Sequence, residues 1–151
     1  MTSAGLIPFR LVDDALEILI AHPGGPFWAR RQEGAWSIVK GEVPSGEDPF
    51  DAAVREFREE TGWAITPIDP IPLGEVTQKA GKRILAWAFA AELDPATLAG
   101  DTITLTVRGR EVNFPEIDEL RWCRRAEAER LLNPAQSVYH QRLNAALVNR
   151  R

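Results

Sequence analysis

One stretch, Gly41 to Trp63 (GEVPSGEDPFDAAVREFREETGW), constrains this chain more than any other. Its second half predicts a helix from Asp48 or Pro49 to Thr61, with Pro49 suited to the first turn and Gly62 placed to end it. With Glu56 as the zero of the helical wheel, Phe50, Val54 and Phe57 fall at roughly 100° to 160°, a core-facing stripe. Glu56, Glu59 and Glu60 stand at i, i+3 and i+4 and share a face about 100° wide. As scaffold this face is unfavourable. Like charges four apart destabilise a helix, and Glu59 and Glu60 lie at its carboxyl end, where the macrodipole disfavours anions. A hard divalent cation reverses both penalties, and Mg²⁺ takes oxygen ligands of this kind while keeping waters and substrate phosphate in its shell. Arg55 and Glu59 form an i,i+4 pair, and Glu47 can hold Arg55 from its other side, so Arg55 reads as a positioner of carboxylates.

The spacing is Gly41, five residues, Glu47, seven residues, then Arg55-Glu56, Phe57, Arg58, Glu59-Glu60, Thr61, Gly62 and Trp63. It resembles the Nudix box, the signature of hydrolases that cleave nucleoside diphosphates linked to another moiety. At roughly 6% usage per residue type, seven fixed identities and two apolar positions arise by chance with a probability on the order of 10⁻⁷, which excludes coincidence. The resemblance implies a Nudix-type α/β/α sandwich with a mixed sheet, and metal held by Glu56, Glu59, Glu60 and the Gly41 carbonyl. Mg²⁺ is the implied cofactor, with Mn²⁺ a possible substitute. One box glutamate would be the general base, with Glu59 favoured. Glu116 lies six residues before Trp122 in FPEIDELRW. Many family members carry a glutamate at this distance from a strand tryptophan, which implies a ligand role for Glu116, with Asp118 as its rival.

SAGLIPFR, HPGGPFWARR and GAWSIVKGE look like the stand-alone bacterial members described as NTP pyrophosphohydrolase-like, and AWSIVKGE is also similar to the diadenosine-polyphosphate hydrolase branch. Val39 departs from both groups, where proline commonly precedes Lys-Gly. The expected reaction is attack of metal-activated water on a phosphoanhydride of an NTP or a dinucleoside polyphosphate. The alternative is a Nudix domain that senses a nucleotide without turning it over.

The 151 residues, 44% of them hydrophobic, suit one domain spanning 1–151. A net charge of -4 and a pI near 5.3 disfavour a nucleic-acid or membrane surface, so a polyphosphate must be met by local cations or metal. Lys40, next to Gly41, is a candidate phosphate contact, joined by Arg30 and Lys82. Trp28 either stacks on a nucleobase or packs as core. The single Cys123 excludes an internal disulfide and fits a reducing compartment. The amino terminus lacks a signal-peptide pattern and no apolar run reaches ~18 residues, which points to a cytoplasmic protein, monomer or homodimer, with a small-molecule nucleotide as partner.

Strands are expected over Ala4–Arg10 and Ala15–Ala21 as a hairpin, then over Ala35–Val39, Ile71–Gln78, Arg83–Leu93, Thr102–Val107 and Glu119–Cys123. His22 to Pro26 breaks regular structure and leaves Phe27 and Trp28 on a loop. Lys79 to Lys82 reads as a turn, Asp94–Leu98 as one helical turn, and Arg125–Leu132 and Ala135–Val148 as helices.

Overall fold

A computed structural model describes residues 1–150. The chain begins with a hairpin, β1 (Thr2–Val12) and β2 (Ala15–Pro23). Its loop is Asp13-Asp14, both at positive φ (52° and 64°), the backbone of a tight turn whose twist matches the flanking strands. Next come β3 (Val39–Glu42), the helix α1 (Pro49–Thr61), β4 (Ile71–Thr77) and β5 (Arg83–Ala90). A separate hairpin, β6 (Thr102–Val107) and β7 (Arg110–Pro115), leads into β8 (Ile117–Cys123) and the helices α2 (Arg125–Leu131) and α3 (Tyr139–Val148).

The main sheet runs β4-β5-β1-β2-β8, with β3 also paired to β1. The β1–β5 pairing is parallel and the remaining ones are antiparallel, so the sheet is mixed. Alternate residues of each strand serve opposite faces, as the pleat requires. Leu6, Leu19, Val39 and Phe89 pack beneath Ala53 and Phe57 of α1. Ile7, Ile18, Ile20 and Ile84 pack on the other face against Leu131, Tyr139 and Leu143 of α2 and α3 and their approach. Helices therefore cover both faces, giving the α/β/α sandwich. Phe57 is fully buried at the centre of the α1 stripe, while Phe50 and Val54 pack at its edge.

Three expectations need correction. The strand expected over Ala35–Val39 lies later, at Val39–Glu42. Trp36 is drawn away from the sheet edge into isolated pairing with Leu132, its N–H donating to the Leu131 carbonyl, because its side chain is wholly buried there. The last helix starts at Tyr139, not Ala135. A short 3₁₀ turn over Pro134–Gln136 precedes it and turns the Gln136 side chain inward, where it accepts from the Ile38 N–H at 2.8 Å and donates to Ser37 and Gln78. Finally, β6 has a partner, β7, that the sequence reading omits.

No described helix is long and apolar enough to cross a membrane.

Candidate active site

Helix α1 is pinned at both ends by its own sequence. The Asp48 side chain accepts the Asp51 N–H at 3.1 Å, and Gly62, at φ 78°, donates its N–H to the Arg58 carbonyl. Beyond it, the chain folds back so that the Ala99 and Asp101 N–H groups donate to the Thr61 and Glu59 carbonyls, two acceptors that a helix end leaves free. Gly100 makes this approach possible: a Cβ there would sit 1.7 Å from the Glu60 carbonyl oxygen.

The same return segment sets Glu116. Its N–H donates to the Asp101 carbonyl at 3.0 Å, and its own carbonyl accepts the Gly24 N–H at 2.9 Å. Glu116 thereby joins Glu56, Glu60, Gly41, Lys40 and Lys82 around one cleft of about 380 Å³. Asp118, two residues on, points elsewhere, its carboxylate 2.7 Å from Nδ1 of the buried His22. The His22 Nε2–H donates to the Arg31 carbonyl, fixing the loop that carries Phe27 and Trp28.

Gly41 lies directly under Glu56. A Cβ on it would approach the Glu56 carboxyl carbon to 2.0 Å, so only glycine lets this carboxylate rest on the β3 backbone. Arg55 is the hub of the exposed side. Its Nε and Nη2 donate to both oxygens of Glu47 (3.1 and 2.9 Å), while Nη1 reaches Glu56 at 3.0 Å and Glu59 at 3.2 Å. The hydrogen bonds to Glu47, then to Glu56 and Glu59, hold the guanidinium charged well above its ordinary range.

Glu60 has no such partner. Its Oε2 is buried without a hydrogen bond, and burial, with Glu116 and Glu56 adding repulsion, pushes its pKa up to about 9. Burial likewise raises Glu116, helped by Glu56 and Asp101. Lys40 moves the other way, down to about 8, through burial and the neighbouring Lys82 ammonium, with Glu60 opposing.

As placed, no group of three or more carboxylate, imidazole or thiolate side chains among the described residues is gathered closely enough to hold a metal ion. Glu56 and Glu59 instead turn toward Arg55. The donor set is nonetheless all oxygen, the Glu60 oxygen lacks a partner, and the Glu56 carboxylate lies against the Gly41 backbone. These features fit a hard divalent cation.

The raised Glu60 carboxyl has a measurable consequence in metal-free protein. Its folded pKa exceeds its unfolded one, so its contribution is fully present below about pH 4.5 and is lost as pH rises toward about 9. Lys40 acts in the opposite sense only above about pH 8, so the difference between wild type and Glu60→Gln over pH 5 to 8 isolates this carboxyl. In the presence of a chelator, melting temperature is expected to fall across this window, and Glu60→Gln to flatten the fall. An unchanged slope in the variant would show that the acid lies elsewhere.

Of the remaining sequence-selected residues, Trp28 is half-buried and lines a second, apolar cleft that touches Glu116. Arg30 is exposed on the same loop and lines neither cleft. Three contributors went unnoticed in the sequence: Asp101, Ser3 and Phe114. Ser3 is wholly buried in the first cleft's wall and its Oγ lacks a hydrogen-bond partner. No local pattern marks Asp101. Phe114 could have been found from the two-residue Arg108-Gly109 turn, both members at positive φ, which closes the β6–β7 hairpin.

A helix-borne acidic face is thus opposed by two lysines, on a mixed sheet covered on both sides by helices. The NUDIX domain family matches residues 9–143, and the chain belongs to that family. Among solved structures, it is similar to a C. elegans Ap4A hydrolase in a binary complex, at 21% identity and TM-score 0.67, covering 98% of each chain. The NUDIX domain of Shewanella oneidensis NrtR complexed with ADP ribose shares 13% identity at TM-score 0.65, over 97% of this chain and 88% of that one. A mutT/nudix family protein from Listeria innocua shares 20% identity at TM-score 0.62, over 99% and 94%. At these identities the likeness is one of fold.

Proposed function

We propose that the protein is a cytoplasmic Mg²⁺-dependent pyrophosphohydrolase of nucleotides, acting on a nucleoside triphosphate or a dinucleoside polyphosphate. The observation that carries this reading is the pairing of opposites in one cleft: Lys40 and Lys82 side by side, facing Glu56, Glu60 and Glu116. Two adjacent ammonium groups repel, and an anionic phosphate chain relieves that repulsion. Glu56, Glu59, Glu60, Glu116 and the Gly41 carbonyl would hold the cation. When bound, it neutralises phosphate oxygens and lowers the pKa of the attacking water. Lys40 and Lys82 bind and orient the phosphates. Arg55, clamped by Glu47, keeps Glu56 and Glu59 in place, and Glu59 accepts the proton of the water. The water oxygen bonds to one phosphorus, the bridging P–O bond breaks, and the leaving phosphate carries away the bond's electron pair, giving two phosphorylated products.

The similar C. elegans protein is an Ap4A hydrolase and the Shewanella domain is complexed with ADP ribose, which supports a nucleotide-type anhydride here. A panel of NTPs, dinucleoside polyphosphates, nucleotide sugars and inositol pyrophosphates with Mg²⁺ in H₂¹⁸O tests the reading and locates the broken bond. One of the first two classes should be turned over fastest. Lys82→Ala should raise KM by about five- to tenfold with little change in kcat, as expected for loss of one charged hydrogen bond. Thermal stabilisation by nucleotides without turnover in Mg²⁺ or Mn²⁺ would instead establish a sensing domain.

A further inference from the structure

On the far side of Glu116 lies a cleft of about 610 Å³ between the Gly24–Trp28 loop and the β6–β7 hairpin. Phe27, Trp28, Ile103, Leu105 and Phe114 line it, and Glu116 is its only charged residue. The volume falls within the roughly 300–1,000 Å³ common to small-molecule sites. Large apolar surface is left open to solvent here, with Phe27 62% and Leu105 49% exposed. Exposed aromatic and aliphatic groups gathered around a concavity mark a binding surface.

We propose that this cleft is the nucleobase site of the substrate and that it reads the base by stacking, not by hydrogen bonding. This rests on the hydrolytic reading above. The assignment of the occupant comes from continuity: Glu116 lines both clefts, so a substrate whose phosphates lie against Lys40 and Lys82 extends its remaining moiety directly into the apolar one. The walls are also braced. Phe27 and Trp28 meet edge-to-face, their ring centroids 4.8 Å apart, and the Arg31 guanidinium lies 4.3 Å from the Phe27 centroid. Gly25 rests on the Phe114 ring so closely that a Cβ there would come within 2.6 Å of it, locking loop to hairpin. A rigid aromatic slot stacks any base, because every base presents a π face. With no amide or hydroxyl side chain in the lining, and Glu116 assigned to the phosphate cleft, the walls offer little to discriminate among base edges.

Calorimetric binding of AMP and of ribose 5-phosphate to the intact protein with Mg²⁺ provides the test, with ATP and inorganic tripolyphosphate hydrolysis followed in parallel. AMP should bind at least about tenfold more tightly than ribose 5-phosphate, and the four nucleoside monophosphates should agree within about fivefold. Trp28→Ala should weaken AMP by about tenfold and leave ribose 5-phosphate unchanged. Leu105→Ser, at an exposed position where folding is safe, should weaken AMP alone by a smaller factor. Equal affinity for the two ligands, no measurable AMP binding, or variants that weaken both ligands alike would overturn the proposal. If the base effect holds and neither these phosphate chains nor a dinucleoside polyphosphate is cleaved, the hydrolytic reading fails and the base site stands. If both are cleaved and Trp28→Ala changes nothing, the base site alone fails.

Discussion

Glu60→Gln is expected to lower Mg²⁺-dependent turnover by on the order of 10³-fold while raising the stability of the metal-free protein. The two effects have one cause. In the folded chain this carboxyl is buried, has no partner on Oε2 and faces Glu116 and Glu56, so its charged form is costly in the absence of a cation. An uncharged amide of the same shape removes that cost. The gain, on the order of 1–2 kcal/mol after allowance for residual exposure, should appear as a rise of about 2–8 °C in melting temperature at pH 8 with chelator present. Greater stability with lost activity separates a functional acid from a structural one. Retained turnover would remove Glu60 from the reaction, and a drop in melting temperature would show that its buried carboxyl is not costly in the metal-free protein.

The second large effect belongs to a residue without a side chain. In Gly100→Ala the new Cβ would stand 1.7 Å from the Glu60 carbonyl oxygen, a backbone atom of a packed helix that cannot swing aside. The return segment must move out, costing its two hydrogen bonds to the Glu59 and Thr61 carbonyls. A loss of about 2–4 kcal/mol is expected, a fall of roughly 4–16 °C in melting temperature. Because Asp101 also holds the Glu116 N–H, activity should fall with stability, and not recover when assayed well below the new melting temperature. Unfolding curves in urea together with initial rates at 15 °C provide the check. Wild-type rates at that temperature would show that Glu116 is held some other way.

Much of this was legible in the chain because the informative residues are adjacent in sequence. Asp48, Pro49 and Gly62 announce the ends of α1 by their own capping chemistry, and Glu56, Glu59 and Glu60 announce its acidic face by spacing alone. The β1–β2 hairpin follows from two apolar runs flanking Asp13-Asp14. What local reading cannot supply is long-range pairing. Nothing near Trp36 says that it will bridge to Leu132 and so delay the strand to Val39. Nothing near Pro134 says that Gln136 will be recruited by Ile38, Ser37 and Gln78, holding off the start of α3 until Tyr139. The β7 strand was missed for a different reason: its hairpin is exposed along most of its length, so burial imposes no strong apolar alternation on it. Likewise Asp101 and Ser3 reach the site through the fold, and no motif surrounds either.

The ladder of main-chain hydrogen bonds from the Glu59 carbonyl through Asp101 and Glu116 to Gly24 means that the acidic residues of two distant segments keep their mutual spacing without help from any side chain between them. The fourteen residues of the β6–β7 hairpin, Thr102 to Pro115, pair with each other and form no ladder with the main sheet. Substitutions along its solvent-facing positions therefore leave the ladders of the main sheet and the ends of α1 untouched, so the outline of the apolar cleft can change while the acidic face keeps its geometry.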